Sequence, residues 1–213
     1  MSVLDPRALG VYVVTSSGMV SGRGYLEVAL AAIRGGAGAI QLRAPELTDA
    51  ELLLLAEVLA PACTGAGVVC AVNDRVEVAA RVGCSAHVGQ LDRPEMARAV
   101  LGRSGYLGVS VEDATEARVA EAVGADYLGV TVWSTTTKPG AEPRGLDGLR
   151  EIVSATSLPV VGIGGIDASN ACDVLGAGAA GVAVLSAVGA ADDPEAATRE
   201  LVDVVTRWKE RQR

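Results

Sequence analysis

The sequence contains no phenylalanine and only one histidine, and aromatic residues make up 3% of its 213 positions. Cations are also in the minority, because 18 Lys and Arg against 26 Asp and Glu give a net charge of −8. Nucleic-acid surfaces need basic grooves and stacking rings, so this composition disfavours a nucleic-acid partner. A single histidine and the lack of a GxSxG segment disfavour a Ser-His-Asp hydrolase.

Thiolate metal sites and membrane spans also find no support. The cysteines at 63, 70, 84 and 172 form no CxxC pair and have no histidine-rich neighbourhood, so we interpret them as small core residues. No run of 18 apolar residues occurs, and no cationic segment followed by an apolar one opens the chain. We therefore expect a cytoplasmic protein without a membrane partner.

What the chain does contain is apolar residues, at 50%, and 26 glycines. This length and apolar content suit a single domain, residues 1–213, with one large core. Eight short runs are apolar nearly throughout, which is typical of strands covered on both faces. They are Val11–Thr15, Ala39–Leu42, Val68–Val72, Ala86–Val88, Tyr106–Val109, Tyr127–Val132, Pro159–Ile163 and Gly181–Leu185.

Helical segments separate these runs. The clearest begins with a capping box, in which Thr48 and Glu51 precede the apolar stretch LLLLAEVLA. The predicted helices are Thr48–Thr64, Asp113–Val123, Leu146–Thr156, Ser169–Leu175 and Pro194–Lys209.

Eight strands, each followed by a helix, predict an α/β fold, a (β/α)8 TIM barrel of near-minimal length. The alternative is an open, doubly wound parallel sheet. The first strand–helix turn reads SSGMVSGRG and does not match GxGxxG, so dinucleotide binding loses its main support and the closed barrel is favoured.

In such a barrel the reactive residues follow the carboxyl ends of the strands. His87 lies within the fourth strand, and we interpret it as structural rather than catalytic. The candidate residues at the strand ends are Gln41, Arg43, Asn73, Asp74, Arg75, Gln90, Asp92, Ser110, the segment Trp133 to Lys138, the segment Gly162 to Gly165, and Ser186.

The ends of the last two strands predict a phosphate site. VVGIGGI places small residues where a backbone approaches a ligand, the helix start at Asp167 to Ser169 follows, and Ser186 ends the next strand. Barrel phosphate sites are commonly built from these two loops, whose amide groups face the anion. The alternative is that the glycines only allow close packing of helix and strand.

Asp74 and Asp92 follow neighbouring strands and suit Mg²⁺, which takes few carboxylates and completes its shell from water and substrate phosphates. Each could instead cap a helix. Lys138, in a threonine-rich loop, could balance a pyrophosphate or simply be solvated. Together these features predict a metal-dependent diphosphate end and a separate monophosphate end, as in a transfer reaction that releases pyrophosphate.

An ordered set of segments then resembles the thiamine-phosphate synthase family over almost the whole chain. The segments are QLR (41–43), VNDR (72–75), HVGQLD (87–92), GVS (108–110), TTTKPGA (135–141), PVVGIGGI (159–166) and GVAVLSAV (181–188). The resemblance implies a barrel enzyme that joins hydroxymethylpyrimidine diphosphate to thiazole phosphate through a dissociative step.

The resemblance also implies roles for individual residues. Asp74 and Asp92 would hold Mg²⁺, and Arg43, Lys138 and Ser110 would be catalytic. The lysine expected two positions after Arg43 is replaced by Pro45. The implied substrate-binding residues are Gln41, Arg43, Asn73, Ser110, Thr135, Thr136, Thr137, Lys138, Gly165, Leu185 and Ser186.

Two alternatives stay open at this point. A related branch of the same fold is a thiazole tautomerase with a catalytic histidine where this chain has Thr131. The other alternative is a non-catalytic protein that binds a phosphorylated metabolite. The two carboxylates and the TTTK segment favour the synthase, with the two small-molecule substrates as partners, and a homo-oligomer is left open.

Overall fold

A computed structural model describes residues 4–16, 23–89, 93–103, 105–134 and 142–212. Within these ranges eight parallel strands close into a barrel in the order in which they occur along the chain. The strands are β1 (Val11–Val14), β2 (Ala39–Leu42), β3 (Val69–Asn73), β4 (Ser85–Val88), β5 (Leu107–Ser110), β6 (Tyr127–Thr131), β7 (Val160–Ile163) and β8 (Gly181–Val184).

Helices follow the strands and surround the barrel, after a short 3-10 turn at Pro6–Leu9. The helices are α1 (Tyr25–Arg34), α2 (Asp49–Ala66), α3 (Val76–Val82), α4 (Pro94–Leu101), α5 (Ala114–Ala122), α6 (Gly145–Ala155), α7 (Ala171–Gly176), α8 (Ser186–Gly189) and α9 (Pro194–Glu210).

Closure of the barrel follows from the pairing of its first and last strands. Tyr12 lies opposite Ala39 of β2 on one side and opposite Ala183 of β8 on the other. The predicted (β/α)8 barrel is therefore confirmed, and the open sheet is excluded. The predicted strands coincide with the observed ones to within one or two residues at each end.

The predicted capping box at the start of α2 is present. The Thr48 amide donates to Glu51 Oε2 at 2.9 Å, and the Glu51 amide donates to Thr48 Oγ1 at 3.4 Å. The helix then continues through Pro61 and ends at Ala66, two residues beyond the predicted end.

Two apolar clusters fill the molecule, one between strands and helices and one inside the barrel. The outer cluster contains buried residues such as Ile40, Leu128 and Ile152. Alternate residues of the same strands point inward, and the inner cluster contains Tyr12, Ala39, Ala71, Val14, Tyr127, Val161 and Ala183. A strand that packs on both faces needs apolar residues at every position, which explains the uninterrupted runs in the sequence.

All four cysteines are free, with Cys63 and Cys84 buried and the other two partly buried, as expected of core residues. No helix within the described ranges has the length and apolar character needed to cross a membrane.

At the amino-terminal end of the barrel, Arg98 of α4 ties together the segments that enter β5 and β6. Its guanidinium donates to the carbonyls of Gly124, Gly102 and Gly105 at 3.0, 2.7 and 3.1 Å, and it pairs with Asp126. The Asp126 carboxylate in turn accepts from the Leu107 amide at 2.8 Å. The side chains of both partners are only 20% and 24% exposed, so this pair is largely removed from water.

We expect Arg98→Ala to lower the free energy of unfolding by about 2 kcal/mol, because it leaves a partly buried carboxylate and three carbonyls without their donor. Urea denaturation measures this. The control is Arg199→Ala, which removes an exposed pair with Glu195 and is expected to cost at most about 0.5 kcal/mol. Equal losses in the two variants would contradict the role assigned to Arg98.

Candidate active site

A pocket of about 200 Å³ opens at the carboxyl ends of the strands. Because all eight strands are parallel, their carboxyl ends meet at this single rim. Predicted site residues from both halves of the chain line it, namely Gln41, Arg43, Asn73, Asp74, Ser110, Gly165, Leu185 and Ser186. Five of the predicted site residues lie outside the described residues: Asp92, Thr135, Thr136, Thr137 and Lys138; so does Gln90.

Arg75, a candidate from its position after β3, is not among the lining residues. Its guanidinium Nε lies 3.0 Å from Asp49 Oδ1 at the start of α2, so the ion pair holds Arg75 against a helix. His87, expected to be structural, does line the pocket, as does Thr131.

Two tyrosines that the sequence did not single out, Tyr12 and Tyr127, also line the pocket. Both sit inside apolar runs and are 2% and 1% exposed, so they resemble ordinary core residues. The feature of the sequence that could have identified them is their hydroxyl groups, because a buried tyrosine usually has a hydrogen-bond partner.

The ends of β2 and β3 form one side of the pocket. The Arg43 amide donates to Thr15 Oγ1 at 3.1 Å, which fixes the backbone that carries the Arg43 side chain. Asp74 has a φ of 60°, a left-handed conformation uncommon for residues other than glycine, although aspartate adopts it more readily than most. Such backbone conformations cluster at functional sites. Helix α3 has Arg75 in its N-cap position, so Asp74 lies one residue before the cap.

The ends of β7 and β8 form the other side of the pocket. Gly164 and Gly165 have φ values of 96° and 63°, and a Cβ on Gly164 would lie 2.5 Å from the Trp133 carbonyl oxygen. The side-chain Nδ2 of Asn170 donates to the Gly165 carbonyl at 2.9 Å and holds this turn in place. The glycines are thus required by a tight turn at the pocket rim.

Side-chain hydrogen bonds after the same turn shift the start of the next helix. The Ser169 amide and hydroxyl donate to Asp167 Oδ1 at 2.8 and 2.6 Å, and the Asp167 amide donates to Asn170 Oδ1 at 3.0 Å. The hydrogen bond from Ser169 lowers the pKa of Asp167. These contacts occupy the residues predicted to begin the helix, so α7 starts at Ala171 and not at Ser169.

A chain of hydrogen bonds forms the floor of the pocket. Gln41 Nε2 lies 3.0 Å from the Tyr12 hydroxyl, which lies 2.8 Å from the Tyr127 hydroxyl. The Tyr127 hydroxyl lies 3.2 Å from His87 Nδ1, and His87 Nε2 lies 3.0 Å from Ser110 Oγ. Five side chains from β1, β2, β4, β5 and β6 are therefore connected across the barrel.

Two inward-facing glycines make room for this chain. A Cβ on Gly108 would lie 2.2 Å from Tyr127 Cζ and 2.5 Å from His87 Nδ1. A Cβ on Gly129 would lie 3.0 Å from His87 Cε1. The register places Gly108 between His87 and Tyr127 on the neighbouring strands, so a larger residue there would displace both rings.

Both phenols stay protonated over the ordinary pH range. Burial raises the pKa of Tyr12 to about 12, and the hydrogen bonds to Tyr127 and Gln41 offset part of that rise. Burial also raises the pKa of Tyr127 well above its ordinary value, and the neighbouring Tyr12 adds to the effect. The floor is therefore polar but uncharged at its two tyrosines.

With this geometry in place, comparison with known proteins identifies the family. Residues 11–188 match the family model described as thiamine monophosphate synthase. The chain belongs to the thiamine monophosphate synthase family. The matched range includes both sides of the pocket and its floor, from Tyr12 to Ser186.

Relatives within the thiamine monophosphate synthase family resemble the chain over most of its length. It is 46% identical to the thiamine-phosphate synthase of Roseiflexus castenholzii over 92% of this chain and 88% of that one. It is 47% identical to that of Moorella thermoacetica over 92% and 96%. The solved thiamine phosphate pyrophosphorylase of Pyrococcus furiosus superposes with a TM-score of 0.87 at 35% identity, covering 95% and 98%.

The raised pKa of Tyr12 predicts a loss of stability in alkali. Between its unfolded pKa near 10 and its folded pKa of about 12, the unfolded chain loses the phenol proton first, so the free energy of unfolding falls with rising pH. From pH 9 to pH 11 Tyr12 contributes a fall of about 1.4 kcal/mol. Urea denaturation of the wild type and of Tyr12→Phe at both pH values measures it. The variant should lose less stability than the wild type, and equal losses would contradict the assignment.

Proposed function

We propose that this protein joins hydroxymethylpyrimidine diphosphate to thiazole phosphate, giving thiamine phosphate and pyrophosphate. The observation that carries the proposal is that residues matching the family segments meet in one pocket with two chemically different sides. One side has a cation and a carboxylate, Arg43 and Asp74, and the other has a glycine turn and Ser186. The names of the relatives support the same reaction.

The side formed by β2 and β3 suits the diphosphate. Arg43 supplies a guanidinium that can bind two phosphate oxygens at once, and Asn73 adds a neutral polar group beside it. The net charge of −8 makes such a local cation necessary, since the protein as a whole repels an anionic substrate.

The side formed by β7 and β8 suits the monophosphate of the thiazole. The Gly164 and Gly165 turn leaves backbone without a side chain at the rim, and Leu185 and Ser186 follow β8 on the neighbouring strand. Backbone amides and a hydroxyl are the donors that phosphate sites in barrels commonly use. In the closed barrel β3 and β7 lie four strands apart, while β2 and β8 are separated by β1, so the two anion sites occupy different sectors of the same rim.

Mg²⁺ fits the diphosphate side, where Asp74 with Asp92 would hold it. Asp74 lines the pocket and has a backbone conformation that is rare for residues other than glycine. The described residues contain no group of three or more acidic, cysteine or histidine side chains arranged for a metal. An ion held by Asp74 and Asp92 would complete its coordination shell with water and phosphate oxygens. When bound, Mg²⁺ neutralises charge that develops on the pyrophosphate.

The reaction breaks the bond between the pyrimidine methylene carbon and the diphosphate oxygen, and pyrophosphate departs with the electron pair. The thiazole nitrogen then donates its lone pair to the methylene carbon and becomes a thiazolium. No proton moves in this exchange, so no general base is needed. The contribution of Arg43, and of Lys138 in the TTTK segment, is to stabilise the departing anion, while the pocket aligns the two rings.

Replacement of Asp74 tests the diphosphate side. We expect Asp74→Asn to lower kcat/KM by roughly 100-fold, about 2.7 kcal/mol, while the fold is kept because asparagine also tolerates a positive φ. Thiamine phosphate is measured with both substrates as Mg²⁺ is varied. Asp203→Asn, on the exposed side of α9, is the matched control and should behave as the wild type. Full activity of Asp74→Asn at every Mg²⁺ concentration would contradict this metal assignment.

A second variant tests the role proposed for Lys138. Lys138→Ala removes a cation proposed to face the pyrophosphate, and we expect turnover to fall at least tenfold, about 1.4 kcal/mol. The release of pyrophosphate under saturating substrates measures turnover. An unchanged rate would remove Lys138 from the mechanism.

A further inference from the structure

The five-residue chain on the pocket floor has a direction that follows from counting its protons. Gln41 Nε2 is a donor, so the Tyr12 oxygen accepts from it. The Tyr12 hydroxyl has one proton of its own, and the described residues offer it one other partner, the Tyr127 oxygen at 2.8 Å. If Tyr127 donated instead, the proton of the Tyr12 phenol, which is 2% exposed, would have no acceptor, and an unsatisfied buried donor is unfavourable.

The same reasoning continues to the histidine. Once Tyr127 accepts from Tyr12, its own proton points to His87 Nδ1 at 3.2 Å. Nδ1 must then be the bare nitrogen, and in a neutral imidazole the proton is on Nε2. Nε2–H donates to Ser110 Oγ at 3.0 Å, which leaves the Ser110 proton for the pocket. The protons of Tyr12, Tyr127 and His87 then each have an acceptor.

The barrel is built to hold this arrangement. Gly108 and Gly129 leave the space that the Tyr127 and His87 rings occupy, and the two rings pack with centroids 5.5 Å apart. Tyr12 and Tyr127 also pack together, with centroids 5.9 Å apart. Packing on this scale restricts movement of the three rings and keeps their hydrogen-bonding atoms at the distances given above.

We propose that Tyr12, Tyr127 and His87 are positioning residues that form a one-way hydrogen-bond chain from Gln41 to Ser110. The chain holds His87 as the Nε2–H tautomer. It thereby presents the Gln41 amide oxygen as an acceptor and the Ser110 hydroxyl as a donor to the same ligand ring. The tautomer follows from the floor geometry alone, and its consequence for the substrate rests on the proposed function.

The ligand chemistry that matches this pair is a heteroaromatic ring with an exocyclic amino group and an unprotonated ring nitrogen. The amino group donates to Gln41 Oε1, and the ring nitrogen accepts from Ser110. A ring with an oxo group and a protonated nitrogen at those positions has the opposite polarity, so an acceptor faces Gln41 Oε1 and a donor faces the Ser110 proton. The chain therefore selects an aminopyrimidine over a pyrimidinone, a difference that shape alone does not provide.

The single histidine of the sequence makes the tautomer directly measurable. Nitrogen-15 NMR of the histidine-labelled protein, recorded at rising pH until the spectrum no longer changes, distinguishes the protonated ring nitrogen of the neutral imidazole from the bare one. We expect one species, Nε2–H. A spectrum that shows Nδ1–H, or a mixture of tautomers, would overturn the proposal.

A change at the far end of the chain gives a sharper test. In Gln41→Glu the carboxylate can only accept, so Tyr12 donates to it, Tyr127 donates to Tyr12, and His87 must donate through Nδ1–H. We expect the histidine to switch to the Nδ1–H tautomer, although residue 41 does not touch it. Adding Tyr127→Phe to this variant cuts the chain and should abolish the switch. An unchanged His87 spectrum in folded Gln41→Glu would overturn the one-way chain.

Tyr127→Phe alone keeps the test valid if Gln41→Glu does not fold. It removes the donor to His87 Nδ1, so we expect a second tautomer to appear, and a spectrum identical to the wild type would contradict the chain.

In the enzyme assay, Tyr127→Phe should raise the KM for the pyrimidine diphosphate about tenfold and the KM for the thiazole phosphate less than twofold. Equal changes in both KM values would indicate a merely structural role. A wild type with the Nε2–H tautomer but no thiamine phosphate product would refute the proposed function and leave the chain standing.

Discussion

The interior of this barrel depends on two positions where there is no side chain. Without a Cβ on Gly108 or Gly129, the rings of Tyr127 and His87 fit inside the barrel and line the pocket. Their hydroxyl and ring nitrogens then connect Gln41 on β2 to Ser110 on β5. An ordinary barrel interior filled with branched aliphatic residues could not offer polar groups to a ligand at this depth.

The charge of the pocket also differs from the charge of the chain as a whole. The chain has a net charge of −8, yet its pocket has Arg43 on one side and a bare glycine turn on the other. An acidic protein can bind two anionic substrates only where local cations and backbone amides outweigh the overall repulsion. These groups lie at one rim but follow different pairs of strands, so the proposed sites for the two anions do not overlap.

Much of the fold could be read from the sequence because both faces of every strand are covered. Uninterrupted apolar runs located the strands, and the Thr48 and Glu51 capping box located the start of α2. The rim residues Gln41, Arg43, Asn73, Asp74 and Ser110 followed from the rule that ligands bind at the carboxyl ends of barrel strands.

The features of the fold and the site that could not be predicted depend on contacts between residues in different segments of the chain. Tyr12 and Tyr127 are 115 residues apart, and only the strand register shows that both face inward and meet. Arg75 was expected at the rim because it follows β3, but Asp49 of the preceding helix holds it elsewhere. The late start of α7 depends on side-chain hydrogen bonds among Asp167, Ser169 and Asn170, which compete with helix formation.

The measurement that tests the account most directly is a crystal structure of this protein with thiamine phosphate, pyrophosphate and Mg²⁺. In that structure we expect the phosphate of thiamine phosphate to contact the backbone at Gly165 and Ser186, and pyrophosphate to contact Arg43 and Asp74. We also expect the pyrimidine between Gln41 and Ser110. Both anions on one side of the pocket, or a pyrimidine ring remote from the Gln41 and Ser110 pair, would contradict the account.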